Sequence, residues 1–422
     1  MTKTTFRFIH AADLHLDSPL QGLELHEGAP AKLLRGATRR ALENLVNLTI
    51  EEDVDFLLIA GDIYDGDWKD YSTGLFFRSQ MVRLKDQGIP VYLISGNHDA
   101  ASVISKKLPL PENVHPFSTR KAESREVPGV PAVIHGQGFP NRAVPENLAA
   151  EYPPALSGKF NIGLLHTSLN GMKGHDTYAP CSLQDLRAKG YDYWALGHIH
   201  QPEVLSTDPW IVFAGNPQGR HIRETGARGC QLVTVNERLQ VESAERRILD
   251  VVRWAVVEVD LANVETESQA LQCIRASLKD QIERSEGRLA ATRVRLTGAT
   301  PLHGGLHKNS QHWKAQLRTL AQDFGEESLW IERMTIDTIP IYDVAQLAER
   351  DALTGSVLKS LEQASLARDK LPAGILEMLD LLPPDVRIEV ERDLEDFQHD
   401  QIMGEVRSII LEALKTKGET TT

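Results

Sequence analysis

Up to His200 the apolar residues gather in five short runs: Phe6–Ile9, Val54–Ala60, Val91–Ser95, Phe160–Leu165 and Tyr193–Leu196. Each has strand length and is mostly apolar, which suggests a strand buried on both faces. Leu42, Leu45, Val46 and Thr49 recur at helical spacing between the first two runs, so this part of the chain reads as βαβ-type layering. Past about residue 245 the pattern changes. Val252–Asp260 reads as a strand, Leu271, Ile274, Leu278 and Ile282 as one helix face, and Arg293–Thr297 as a second strand. Trp313, Leu317, Leu320 and Phe324 mark another helix face before a strand at Leu329–Ile336. That βαβαβ order predicts a small separate α/β domain, with Leu302–Lys308 as a mobile loop around Gly304-Gly305. From Ile341 the chain reads as helical, broken at Leu371-Pro372 and Pro383-Pro384. Its last part carries an amphipathic stripe of Leu394, Phe397, Ile402, Val406, Ile409, Ile410 and Leu414. The expected domains are therefore 1–245, 246–340 and 341–422.

A polar cluster closes each of the five runs: Asp13-Leu14-His15, Gly61-Asp62-Ile63-Tyr64-Asp65, Gly96-Asn97-His98-Asp99, His166, and Gly197-His198-Ile199-His200. In layered α/β folds ligands sit outside the carboxyl ends of the strands, so these five ends can converge on one cleft. Carboxylate, amide and imidazole donors suit a pair of Mn²⁺, Fe²⁺ or Zn²⁺ ions, and no thiolate is among them. Any one cluster also reads as a capped turn or a satisfied polar pair; their recurrence at successive strand ends carries the metal reading. Gly61, Gly96 and Gly197 admit close backbone approach or positive φ, and plain turn chemistry explains them equally. His10 reads as a core residue or one standing behind the ligands, whereas His26, His115, His135, His175 and His399 have no ligand context.

With these motifs the chain resembles the calcineurin-like metallophosphoesterases, and within them the SbcD-like DNA-repair nucleases and the YhaO-type bacterial proteins. The likeness rests on the stretch Ile9-His10-Ala11-Ala12-Asp13-Leu14-His15-Leu16-Asp17-Ser18-Pro19 and on Gly215-Asn216-Pro217-Gln218-Gly219-Arg220-His221-Ile222-Arg223-Glu224. It covers about residues 6–230 by motif, and the rest by domain order alone. SbcD proteins usually read Asp-Trp-His-Leu-Gly at the first motif, so Asp17 is a departure. The resemblance implies a layered α/β metallophosphoesterase core, a small α/β cap over the cleft and a helical C-terminal region. It implies that Asp13, His15, Asp62 and His200 hold one divalent ion and that Asp62, Asn97, His166 and His198 hold another, with Asp62 bridging. Mn²⁺ is the expected metal, with Fe²⁺ or Zn²⁺ as alternatives. His98, next to the ligand Asn97, is then the residue that meets the scissile phosphate. Asp99 either orients its ring or caps a helix, and Asp65 supports the site, for instance by holding a ligand imidazole in its tautomer. In protein Ser/Thr phosphatases the second motif resembles Gly-Asp-x-x-Asp-Arg-Gly; here Gly66-Asp67 follow Asp65, so their phosphate-gripping Arg is missing.

A net charge of −13 over 422 residues looks wrong for a nuclease. Global charge bears on solubility and long-range steering, however, while a local patch and bound cations set the potential of a cleft. The segment Gln218–Gly229 has Arg220, His221, Arg223 and Arg228 against one acid, Glu224, and reads as a grip on DNA phosphates, with a solvated loop as the alternative. Arg35, Arg39 and Arg40 read as a solvated helix face. Cys181, Cys230 and Cys273 are widely spaced, which argues against a disulfide framework or a zinc ribbon. Residues 1–15 carry no basic-then-apolar leader and no stretch approaches the length of a membrane span, so a cytoplasmic enzyme without a membrane partner is expected. The expected activity is metal-dependent exonuclease or endonuclease cleavage of DNA phosphodiesters in DNA repair. The partner implied by resemblance is an SMC-like ATPase of the SbcC or YhaN type, bound through the C-terminal helices, and a homodimer is a further possibility. The alternatives are a phosphodiesterase of small nucleotides and a non-catalytic regulatory subunit.

Overall fold

The computed structural model describes residues 3–18, 30–65, 71–101, 109–169, 178–341, 355–356 and 410. Apart from Ile410, the C-terminal amphipathic stripe and both of its Pro breaks lie outside the described residues, as do His26, His175 and His399. The chain begins β1 (Phe6–Ala11), α1 (Ala31–Arg35), α2 (Ala37–Glu51), β2 (Phe56–Ala60), α3 (Tyr71–Asp86), β3 (Val91–Ile94) and α4 (Asn97–Ala101). It continues β4 (Val114–Pro116), β5 (Glu123–Glu126), β6 (Ala132–Gly136), β7 (Phe160–His166), α5 (Leu183–Ala188), β8 (Tyr193–Gly197), β9 (Glu203–Thr207) and β10 (Trp210–Phe213). The remaining elements are β11 (Gly229–Val235), β12 (Val241–Ile248), β13 (Val252–Asp260), α6 (Glu267–Arg284), β14 (Leu289–Ala299), α7 (His303–Lys308), α8 (Ser310–Phe324) and β15 (Leu329–Ile339).

The five apolar runs are strands, and they are divided between two sheets. One sheet has the order β12-β11-β1-β2-β3-β4 and the other β5-β6-β7-β8-β10-β9. Strands β1 to β4 pair in parallel, as do β6, β7, β8 and β10, and antiparallel strands close the sheets at both β11-β12 and β5, β9. The period of two explains why the runs carry apolar residues for both faces. Phe6, Phe8, Phe56, Leu58, Tyr92 and Ile94 point into the space between the sheets, where they meet Phe160, Ile162, Tyr193 and Ala195. Their sequence neighbours Ile9, Leu57, Ile59, Val91 and Leu93 point outward, against Leu42, Leu45 and Val46 of α2 and Phe77 and Met81 of α3. Phe8 stacks on Phe56 at 5.1 Å and meets the edge of Tyr193 at 5.3 Å, so one ring links both sheets. Such pairs add about 0.5–1.5 kcal/mol each beyond the area they bury.

By its contacts the chain divides into two compact units. The first contains the chain up to Ala255, together with Ser285–Thr292 and Glu326–Glu332. Those two returning stretches join it through Leu289, Ala291 and Trp330, which pack with Val252 and Trp254, the two Trp rings lying 5.9 Å apart. Beside them the buried Asp250 carboxylate accepts from Arg253 at 3.0 Å and from Arg288 at 2.6 Å. The second unit contains Val256–Arg284, Arg293–Gly325 and the chain from Arg333. There α6 buries Ala270, Ile274 and Leu278, and α8 buries Trp313, Leu317 and Leu320. Strands β13, β14 and β15 form a sheet in that order. The stretch expected to be a mobile loop is instead the helix α7, with His303 and His307 buried and His303 Nδ1 3.0 Å from Thr338 Oγ1. Two adjacent glycines lower helix propensity, but burial of Leu306 outweighs it. Among the described residues no helix is long and apolar enough to cross a membrane.

Candidate metal centre

The ligand-bearing turns are tied to one another before any side chain is considered. The chain leaves β1 with Asp13 N–H bonded to Gly61 O at 3.0 Å, His15 N–H to Asp62 O at 3.0 Å and Leu16 N–H to Ile63 O at 2.9 Å. Asp13, His15, Asp62 and His198 all have left-handed backbones, with φ of 52°, 42°, 51° and 98°. Non-glycine residues at such angles store strain, which tends to gather where function requires a particular side-chain direction. The neighbouring glycines serve a different purpose. A Cβ on Gly96 would stand 2.2 Å from Asp62 Oδ1, and one on Gly197 would stand 2.0 Å from Ala60 O. Close approach therefore requires glycine at both positions.

The donors come from both sheets. Asp13, His15 and His200 offer atoms within mutual reach of one ion, as do Asp13, Asp62 and His166, and also His15, Asp62 and His98. Asp62 Oδ2 lies 3.8 Å from His15 Nε2 and 3.4 Å from His166 Nε2, the place of a bridging oxygen between two groups. Asn97 Oδ1 is 2.9 Å from His166 Nε2, which brings it into the second group. His198 donates its backbone N–H to both Asp13 oxygens at 3.0 Å, and its ring stands 5.2 Å from that of His166. The seven expected ligands thus lie close together, and His98 stands beside two of them, His15 and Asp62.

Tautomers follow from the outer bonds. His166 Nδ1 donates to Ala60 O at 2.9 Å, so Nε2 is the nitrogen that faces Asp62 and Asn97 and that an ion would engage in place of its proton. His200 Nδ1 donates to Glu224 Oε1 at 2.7 Å, leaving its Nε2 lone pair 3.1 Å from His15 Nε2. The electrostatics fit divalent cations. Burial, with Asp62 adding to it, raises the Asp13 carboxyl. Burial also works to raise Asp62, but His166, His15 and His98 hold it well below the usual carboxylate range. Burial opposes protonation of His166, yet Asp62 and Asp13 lift it to about 9. Buried carboxylates that draw a proton onto an imidazole this strongly mark a site that favours positive charge, and carboxylate and imidazole groups are a donor set suited to divalent cations that replace that proton.

His98 differs from the ligands. Its side chain is 31% exposed where those of His15 and His166 are fully buried. Its Nδ1 lies 2.8 Å from Asp65 Oδ1, and burial is outweighed by the Asp65 bond and the Asp62 charge, which raise its pKa. Asp65 is held in turn by Ser18 Oγ at 2.5 Å and stands 3.7 Å from His15 Nδ1. The ring-orienting role expected of Asp99 belongs to Asp65. Asp99 is buried and accepts from Ile63 N–H and Tyr64 N–H at 2.9 Å and from Gly96 N–H at 3.1 Å, fastening the second turn to the third. Its bond to Gly96 is the returning half of a capping box at the start of α4 rather than an N-cap.

The basic segment separates into two parts. Arg228 is buried and directs Nη1 to His200 O and Asn216 Oδ1 and Nη2 to Thr225 O, so the phosphate contact expected of it is corrected to a structural brace. Arg220 reaches the centre, with Nη2 3.0 Å from Glu224 Oε1 and Nη1 3.8 Å from Asp65 Oδ2. His221 and Arg223 are exposed beside it. Arg39, expected on a solvated face, clasps Asp17 through Nε at 2.7 Å and through Nη2, and lies 5.0 Å over the Phe76 ring. Asp17 also accepts from Thr73 Oγ1 at 2.5 Å, so the first turn is anchored to α2 and α3. Glu224 and Ser18 are the residues that sequence reasoning passed over; the lone acid among four cations was the available signal for Glu224. His10 is core: Nδ1 meets Tyr193 OH at 3.1 Å and Nε2 meets Leu196 O at 3.2 Å.

Comparison with known proteins agrees with this geometry. Residues 6–202 match the calcineurin-like phosphoesterase family, and residues 254–339 match the middle domain of metallophosphoesterase YhaO. The chain is 34% identical over 370 residues to "Uncharacterized metallophosphoesterase YhaO" of Bacillus subtilis (strain 168), covering 86% of this chain and 89% of that one. It is 27% identical over 237 residues to "DNA double-strand break repair protein Mre11" of Methanopyrus kandleri, covering 50% of this chain and 49% of that one. Among solved structures, TT1561 of Thermus thermophilus is 13% identical with a TM-score of 0.31, over 57% of this chain and 99% of that one. Matched along most of its length by one such relative, and with clustered Asp and His side chains that could hold metal at its strand ends, the chain belongs to the calcineurin-like metallophosphoesterases, alongside YhaO.

Proposed function

We propose that this metallophosphoesterase is a Mn²⁺-dependent DNA nuclease acting in strand-break repair. The observation that carries the reading is His98, the partly exposed imidazole at the edge of a buried donor set, held by the Asp65 carboxylate at 2.8 Å. Bound divalent ions supply Lewis-acid polarisation of the phosphoryl group and a nucleophile at neutral pH. Around them the chain's own residues orient and protonate. Asp65 takes the Nδ1 hydrogen of His98, which leaves Nε2 to meet the phosphate and pass a proton to the departing oxygen. Arg220, with Nη1 turned toward Asp65, is placed to contact a non-bridging oxygen, the role of the Arg missing after Asp65. His221 and Arg223 lie exposed on the same segment and suit neighbouring phosphates of a polymer. The limited similarity to a protein named for double-strand break repair supports DNA over small nucleotides. Mn²⁺ is favoured over Mg²⁺ because Mg²⁺ demands oxygen ligands and this set is rich in imidazole.

The test is incubation of the purified protein and Mn²⁺ with linear, hairpin and single-stranded DNA, alongside cyclic dinucleotides. Cleavage of DNA that EDTA abolishes is the expected result; turnover of the dinucleotides alone would overturn the polymer reading. The C-terminal stripe around Phe397, Ile402, Val406 and Ile409 has the spacing of a helix that docks in a groove, which supports binding to an SMC-like ATPase. A chain ending at Pro340 keeps every donor and is expected to cleave DNA while failing to capture that ATPase in a pull-down.

A further inference from the structure

Glu224 is nearly buried, and its two oxygens have different partners. Oε2 accepts from Arg220 N–H at 2.7 Å and from Asn216 Nδ2 at 2.9 Å, bonds that fold the segment after β10 back on itself. Oε1 faces the centre, 2.7 Å from His200 Nδ1, 3.0 Å from Arg220 Nη2 and 3.7 Å from His221 Nε2. Arg220 Nη2 is itself 3.2 Å from His200 Nδ1. A guanidinium can only donate, so the two neighbours of His200 Nδ1 make opposite demands. Glu224 asks that nitrogen to carry a hydrogen; Arg220 asks it to carry a lone pair. The carboxylate is closer, and Arg220 Nη2 already donates to the same Oε1 at 3.0 Å, so Glu224 prevails and the lone pair falls on Nε2, facing His15.

We propose that Glu224 is the positioning residue that selects the metal-binding tautomer of His200 against the competing pull of Arg220, while fixing Arg220 at the edge of the centre. The inference rests on the metal-centre reading above. Without Glu224, Arg220 donates to Nδ1 and the ring hydrogen moves to Nε2, where it occupies the lone pair that His200 offers to an ion. The loss therefore has a direction: it depends on Arg220 being present, which a general loosening of the loop would not. A carboxylate behind a ligand histidine is commonly worth about 10–100-fold in metal affinity.

The experiment uses the full chain. Mn²⁺ and Zn²⁺ titration calorimetry is run on wild type, Glu224→Ala and the double variant Glu224→Ala with Arg220→Ala. Nitrogen NMR of histidine-labelled, metal-free protein reads the tautomer of His200, assigned with His200→Gln. The expected result is a single-variant affinity about 10–100-fold weaker for one ion, an Nε2-protonated His200, and partial recovery of both in the double variant. A folded Glu224→Ala protein with wild-type affinity and an Nδ1-protonated His200 would overturn the proposal. So would an affinity loss that the double variant fails to reverse. Should the alanine variant not fold, Glu224→Gln keeps the shape and one acceptor, with an expected loss of about 10-fold; unchanged affinity there counts against the proposal equally. A wild-type protein that binds neither ion refutes the metal-centre reading, and the metal-free tautomer measurement still decides the role of Glu224.

Discussion

Gly197→Ala is expected to damage the centre from a position that bears no donor. Gly197 ends β8 and pairs with His166 on β7. A methyl there would stand 2.0 Å from Ala60 O and 3.0 Å from His166 Nδ1. Carbon and oxygen need roughly 3.3 Å, so the end of β8 and the end of β2 must part by about 1 Å or more. The displaced carbonyl is also the acceptor that fixes the His166 tautomer, at 2.9 Å. Overpacking costs about 1–3 kcal/mol, and a buried bond left unmade adds about 1–3 kcal/mol, so a loss of roughly 2–6 kcal/mol follows. Gly190→Ala is the control: its φ is +70° with open space where a Cβ would go, so it should cost only about 1–2 kcal/mol of backbone strain. Urea unfolding of the metal-free proteins measures the first difference, and calorimetric Mn²⁺ titration the second. A Gly197→Ala protein as stable as the control, binding both ions at wild-type affinity, would show that the two strand ends are not held at this separation.

His98→Ala should retain both ions and lose about 10²–10⁴-fold in turnover; release of an ion in the titration would reassign His98 as a ligand. Asp250→Asn leaves Arg253, whose side chain is 8% exposed, without its buried charge partner and should destabilise by about 3–5 kcal/mol, read as a lower urea midpoint; a near-neutral effect would refute the structural role given to that pair. Burial depresses His10 to about 3 against an unperturbed 6.5. Its contribution is therefore complete above about pH 6.5 and falls by about 1.4 kcal/mol per unit as acidity rises toward the folded value. Unfolding curves at about pH 7.5 and about pH 5.5 should separate by about 1 kcal/mol more in wild type than in His10→Gln; parallel behaviour would falsify the assignment.

The strand ends that bear the donors were legible because both faces of each strand are buried, which leaves a mostly apolar run that stops where the polar turn begins. The partition of those strands into two sheets was not, since it depends on pairings such as that of β1 with β11, more than two hundred residues away. Edge strands such as β5 and β12 alternate weakly and leave little pattern. Arg228 and Arg39 were misjudged for a common reason. A charged side chain in a polar segment looks alike whether it faces solvent or groups brought near by folding. Glu224 was visible only as an exception in a basic stretch, and what it does depends on a histidine 24 positions earlier.

Because Asp13, His15, Asp62 and Asn97 follow strands of one sheet, whereas His166, His198 and His200 come from the other, ions held as proposed would link metal binding thermodynamically to the cohesion of the sandwich. Ions that bind only the folded chain stabilise it by about 2.7 kcal/mol at a hundred times their dissociation constant. The melting temperature would then depend on free metal concentration, and a chelator would act on the architecture as well as on turnover. Loss of the ions from such a centre would loosen the packing between the two sheets as well as stop turnover, since the same ions would clamp the two halves of the core.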